Sequence, residues 1–238
     1  MTHGSETQEP IEAVGDQFSV EALLDVRRRT RQAAWEIGNR VRSGMTEEEA
    51  KEIAASVLGE AGLRKGWHKI LVRCGANTTK NFEEPSTPGV VLDDEDLFFV
   101  DIGPLFDGTE GDAGETFVLG SDPEMLKAKH DVQELWRLVR TKWRDDGSSG
   151  TQLYDYADAT ARSMGWVLNL DLTGHRLSDF PHDAHYDGVL SDVGFRPSSG
   201  MWVLEIQIRH PELEMGAFFE DLLLADDALQ RFSYGPPI

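Results

Sequence analysis

Acidic side chains stand inside the most apolar stretches of this chain, and nothing else in it constrains the fold as strongly. Glu205 interrupts Met201-Trp202-Val203-Leu204 and Ile206. Glu220 and Asp221 divide Ala217-Phe218-Phe219 from Leu222-Leu223-Leu224, and Asp101 follows Leu97-Phe98-Phe99-Val100. A carboxylate is buried in such surroundings only when a charged or hydrogen-bonding partner compensates it. Successive strand side chains face opposite ways, so Glu220 and Asp221 cannot share a face. Asp112 lies before Thr116-Phe117-Val118, where a loop between two antiparallel strands can return it to Asp101. His175 follows Gly174. Four carboxylates and one imidazole suit two hard or borderline divalent cations. Each member alone has an ordinary alternative: Asp101 as a turn former, Glu205 on an exposed strand face, His175 as a hydrogen-bonded surface group.

At 238 residues the chain is long enough for one large domain, or for two halves sharing one core. Residues 1–17 are polar and acidic and read as a mobile leader, without the basic region or apolar core of a secretion signal; residues 18–238 read as one folded domain. The net charge is -20, from 43 acidic and 23 basic residues, which disfavours nucleic acid and anionic membrane as partners. No apolar run reaches membrane-spanning length. The single cysteine, Cys74, excludes an internal disulfide and fits a reducing cytoplasm. A structural zinc site would need cysteines or clustered histidines, which are absent.

The hydrophobic period places a long amphipathic helix over 18–43, with Arg27, Arg28 and Arg31 on its solvated face and Gly44 at its end. Thr46 and Glu49 form a capping box for a second helix that stops at Gly62. Strands follow at 97–102 and 116–119, with weaker alternation at 68–73. Asp122 and Pro123 then open a helix over 122–143, and a shorter helix over 153–164 ends at Gly165. Strands return at 201–208 and 217–224. Helix, helix, strands occurs twice, which predicts a pseudo-duplicated α+β fold. The tryptophans at 136, 143, 166 and 202, with Phe218 and Phe219, read as core or interface residues.

Asp101-Ile102-Gly103, Gly108, Asp112, Thr116-Phe117 and Gly120 together resemble the first metal-binding motif of the superfamily of methionine aminopeptidase, aminopeptidase P, prolidase and creatinase. Gly174-His175 resembles the start of its glycine-histidine motif, Glu205 a carboxylate near a buried strand end, and Glu220-Asp221 its final acidic pair. The resemblance covers roughly residues 18–232, the catalytic domain alone. It implies the pita-bread α+β fold, with two pseudo-symmetric halves around a dinuclear site. It further implies that Asp101 chelates one ion, that His175 and Glu205 hold mainly the other, and that Asp112 and Glu220 bridge them.

By the same resemblance Glu205 shuttles protons and His182 contacts substrate; manganese, iron, cobalt and zinc all accept this ligand set. The implied activity is aminopeptidase P-like cleavage of an amide bond in a short peptide or small amide, by a cytoplasmic homodimer. Other readings are a small-molecule lyase, decarboxylase or oxygen-using metalloenzyme, and a non-catalytic binding protein. The chain departs from the family pattern in several places. Arg176 and Leu177 stand where small glycine-rich text is usual, and His182-Asp183-Ala184-His185 replaces histidine, glutamate and proline. Ile206 follows Glu205 where proline is usual. The family's upstream substrate histidine falls near Phe82 or Glu83, where there is none; His68 is the nearest upstream.

Overall fold

The computed structural model describes residues 11–16, 18–66, 68–177, 186 and 188–231. Two helices, α1 (Val20–Arg40) and α2 (Glu47–Glu60), precede β1 (Arg64–Lys65), β2 (Leu71–Cys74), β3 (Asp96–Ile102), β4 (Pro104–Phe106), β5 (Thr109–Glu110) and β6 (Ala113–Leu119). Two more, α3 (Pro123–Asp146) and α4 (Gly150–Ser163), precede β7 (Val167–Leu168), β8 (His175–Arg176), β9 (Trp202–Arg209) and β10 (Gly216–Leu222). The short α5 (Asp227–Gln230) follows. The expected order of helix, helix, strands, repeated, is present.

Local chemistry sets the helix boundaries. Thr46 and Glu49 make the expected reciprocal capping box on α2, and Ser149 with Gln152 makes a second one on α4. Asp122 caps α3 by accepting from the backbone N–H groups of Glu124 and Met125, with Pro123 in the first turn. Gly44 does not end α1. The helix stops at Arg40, and Val41 turns extended so that its side chain enters the core. Gly44 instead donates its N–H to the Leu92 carbonyl in the turn that follows.

One sheet carries both halves. Its strand order is β2-β3-β6-β10-β9-β7, with β8 also paired to β9. β6 and β10 meet antiparallel at the centre, where the first half joins the second. A small sheet of β1, β4 and β5 lies apart. Alternation gives the large sheet two different faces. One face packs on the helices: Phe98, Val100 and Ile102 meet Ala33, Ile37 and Val57, while Leu204, Ile206 and Phe219 meet Val132, Leu135 and Ala157. Each such large side chain contributes about 1.5–3 kcal/mol when fully buried. Of the aromatics assigned to the core from sequence, Trp136, Trp143, Trp166, Trp202 and Phe219 are buried there, and Phe218 is buried on the opposite face. The other face carries Asp101, Glu205 and Glu220.

The expectation that Arg27 and Arg31 are solvated is wrong; of the three arginines only Arg28 is exposed. Arg27 points into the sheet and donates from Nε and Nη2 to the two Asp221 oxygens at 2.7 and 2.6 Å. Arg31 lies 3.3 Å from Asp221 and 3.4 Å from Glu115. The physical reason is the alternation that sends Glu220 to one face and Asp221 to the other. Asp221 lands under α1 and draws a cation from it. A bidentate guanidinium–carboxylate pair is the geometry that suits burial.

Removing one partner of a buried pair strands the other, at a cost of about 3–5 kcal/mol. Arg27→Ala is therefore expected to lower the unfolding free energy in urea by that amount, while Arg28→Ala changes it by less than about 0.5 kcal/mol. Equal effects of the two substitutions would contradict this assignment.

Candidate metal centre

Strand register brings the predicted acids into line. Asp101 on β3 pairs with Gly114 on β6, Gly114 with Glu220 on β10, and Glu220 with Glu205 on β9. Four neighbouring strands thus place these residues in one row across the sheet. The one residue of the row without a side chain is Gly114. A Cβ there would lie 2.3 Å from the Phe218 ring and 3.0 Å from Glu220 Oε1, so glycine leaves the space that the carboxylates occupy. Asp112 precedes Gly114 by two residues and faces the same way. All four carboxylates are buried.

His175 enters from β8, which pairs with β9 at Val203, two residues from Glu205. The turn before it needs Gly174, whose φ is +69° and whose missing Cβ would meet the Val203 carbonyl at 2.3 Å. His175 Nε2 lies 2.7 Å from Asp112 Oδ2 and 3.6 Å from Glu205 Oε1. Its Nδ1 lies 3.0 Å from the Arg176 carbonyl, which can only accept, so Nδ1 carries a proton. That contact aims Nε2 at the carboxylates and is the usual outer support of a metal-binding imidazole.

The electrostatics are those of a site with too little positive charge. Burial lifts the Asp101 carboxyl to about 6, and the charge of Asp112 adds to this against the opposing charge of His68. Burial likewise lifts Glu205 to about 7, despite His175 beside it. Glu220 goes well above the usual carboxylate range, through burial and then the charges of Asp112, Asp101 and Glu205. Asp112 moves the other way: burial opposes its charge, but the His175 hydrogen bond and the charges of both histidines hold it low. For His175 the loss of solvent is outweighed by the bond to Asp112 and nearby charge, raising the imidazole to about 10.

Asp112 Oδ1 and Glu220 Oε1 are buried without a hydrogen-bond partner among the described residues. Convergent carboxylates, oriented imidazole nitrogen and unpartnered oxygens are a donor set that fits divalent cations.

All five residues expected from the sequence as ligands, Asp101, Asp112, His175, Glu205 and Glu220, therefore converge. His182 and His185 lie outside the described residues. One further residue joins the group. His68 Nε2 lies 3.2 Å from Asp101 Oδ1, and His68, Asp101 and Asp112 each offer a ligand atom within 4.8 Å of the others. Sequence reasoning placed His68 only as an upstream histidine, because no motif surrounds it. Phe82, in the loop where a family histidine is missing, packs on the His68 ring at 5.1 Å between centroids. It also lines a narrow crevice with Asp101, Phe99, Phe218 and Lys80.

The raised carboxylates set how the metal-free protein responds to pH. Between the ordinary carboxylate value of 4.5 and the raised value of about 7 for Glu205, the folded protein keeps a proton that the unfolded chain has lost. Stability then falls as pH rises through that window. His175, raised from 6.5, extends the decline toward pH 10. Melting in excess chelator should show Tm dropping steadily from pH 5 to 8. A Tm that climbs over that range would show that these charges are compensated from within the protein.

Residues 21–227 match the model of metallopeptidase family M24. No curated protein matches the chain in sequence. Among solved structures the chain resembles the prolidase from Pyrococcus horikoshii OT3, at TM-score 0.70 and 17% identity over 91% of this chain and 62% of that one. It resembles the methionine aminopeptidase from Thermotoga maritima at TM-score 0.68 and 15% identity, over 87% and 93%. The Xaa-Pro dipeptidase from Bacillus anthracis matches at TM-score 0.72 and 16% identity, over 94% and 63%. The chain thus spans about three fifths of the prolidase and the dipeptidase. These likenesses carry the fold, which is the pita-bread α+β fold. With the family match running from the first turn of α1 to the start of α5, the chain belongs to metallopeptidase family M24.

Proposed function

We propose that this chain is a metal-dependent hydrolase that cleaves a C–N amide bond in a short peptide or small amide, in the manner of aminopeptidase P. The single observation behind this reading is the buried row of Asp101, Glu220 and Glu205, with Asp112 and His175 converging on it. Membership of a metallopeptidase family supports it. Asp101 would hold one divalent ion, His175 and Glu205 mainly a second, and Asp112 with Glu220 would lie between them. Manganese, iron, cobalt and zinc all accept these donors. When bound, such ions supply Lewis acidity and lower the pKa of water.

The chain's own residues have distinct tasks. Glu205, at the end of the carboxylate row and 3.6 Å from His175 Nε2, is suited to take a proton on its carboxylate and return it to the departing amine nitrogen. The Arg176 carbonyl holds the His175 tautomer. Phe99, Phe218 and Phe82 wall the crevice beside Asp101. His182 is proposed as a substrate contact, and a homodimer in the cytoplasm as the working assembly.

A second reading, a small-molecule metalloenzyme that is no peptidase, is favoured by Phe82. An apolar ring stands beside Asp101 where the resembling peptidases present a histidine to the substrate.

Metal analysis followed by a screen of di- and tripeptides with proline in the second position tests the first reading. Turnover is expected to vanish with chelator and return with manganese or cobalt. A well-folded protein that takes up no divalent ion would end both readings, whereas metal uptake without peptide cleavage would select the second. Glu205→Gln should lower kcat by about 10²–10⁴-fold. Metal content is measured alongside, since Glu205 is also a proposed ligand. Unchanged kcat with full metal occupancy would remove the proton-transfer role.

A further inference from the structure

We propose that His68 is an additional metal ligand, adding an imidazole nitrogen to the ion that Asp101 and Asp112 would hold. The inference rests on the metal-binding reading above but goes beyond its five residues. His68 precedes β2, whose first residue, Leu71, pairs with Asp101, so the chain delivers it to the β3 end of the carboxylate row. Two donors on one cation, each about 2.1 Å from it, lie roughly 3.0–3.4 Å apart when adjacent. The His68 Nε2 to Asp101 Oδ1 separation of 3.2 Å falls within that span. One ligand atom from each of His68, Asp101 and Asp112 lies within 4.8 Å of the others, slightly wider than the span of two donors across one ion.

The surroundings make a place for this ring. Gly103, two residues after Asp101, lies directly against His68: a Cβ at position 103 would come within 2.6 Å of the His68 Cβ. Any other residue there would drive the imidazole away from Asp101. The Phe82 ring packs on the imidazole at an interplanar angle of 51°, and Lys69 Nζ stands 4.7 Å from the Phe82 centroid on the outer side. His68 is only 8% exposed. An imidazole that merely bonded Asp101 from the surface would not need this enclosure. The ion at the Asp101 end would otherwise have carboxylates alone, while the other has His175. With His68 each ion gains one imidazole, which favours the borderline metals over magnesium or calcium.

The test is cobalt(II) titration of the metal-free protein, read by calorimetry and by visible absorption, for wild type, His68→Ala and His68→Gln. X-ray absorption of the loaded forms then counts imidazoles. Wild type should bind two ions. Both variants should lose at least tenfold in affinity for one of them, shift the cobalt absorption, and show one imidazole fewer per protein. Added imidazole should restore the wild-type spectrum in His68→Ala. Melting of the metal-free forms reports folding, and His68→Gln, with similar reach, carries the same readouts should the alanine variant not fold. Variants with wild-type affinity, spectrum and imidazole count would overturn the proposal while leaving the five-residue site intact. A wild type that binds no cobalt would instead overturn the proposed function.

Discussion

Buried negative charge is the constraint around which this molecule is organised. Three of the four strands β3, β6, β10 and β9 each commit a carboxylate to one transverse row, and the fourth commits a glycine. In a medium of low polarity, like charges at such range raise one another's pKa until some of them hold protons. Burial chiefly, with the neighbouring acids adding to it, raises Asp101, Glu205 and Glu220 here. Cations are the compact way to relieve it, because one ion can neutralise several oxygens at once while satisfying their lone pairs.

The sheet handles its acids in two ways, and the difference lies in which face each one occupies. Asp221 and Glu115 sit on the helix-covered face, where Arg27 and Arg31 of α1 provide permanent compensation. Glu220, the immediate neighbour of Asp221, faces the opposite side with no guanidinium against it among the described ion pairs. A salt-bridged acid is spent on structure. An acid left among other acids stays available for a ligand, and the two outcomes here are separated by one step along a strand. Placing the scaffold pairs at the centre of the molecule also ties α1 to β10, so the two halves cannot separate without exposing Asp221.

Much of this was readable in the residues. Capping chemistry at Thr46, Glu49 and Asp122 marked helix starts because it is local. The apolar runs around Glu205 and Glu220 marked buried strands because a short unbroken apolar run is legible without knowledge of partners. The misplacement of Arg27 and Arg31 had a visible clue, since they share a helical stripe with Leu23 and Ala34. Charge was read there as solvation, when a buried acid elsewhere was waiting for it. The short strands β4, β5, β7 and β8 carry too few residues for any period to show. His68 has no motif around it, and its proximity to Asp101 depends on a glycine 35 positions away in the chain.

What the sequence by itself determined was the inventory: which acids must be buried, which histidine goes with them, and that two similar helical and stranded halves would enclose them. Those are properties of residue type and local period. Only the tertiary structure decided the register that makes Asp101, Gly114, Glu220 and Glu205 a single row, the division of Glu220 from Asp221 between ligand site and salt bridge, and the arrival of His68. Each of these depends on which strand lies beside which, and that is settled by the packing of α1 and α3 on a shared sheet and by no one segment's own preferences.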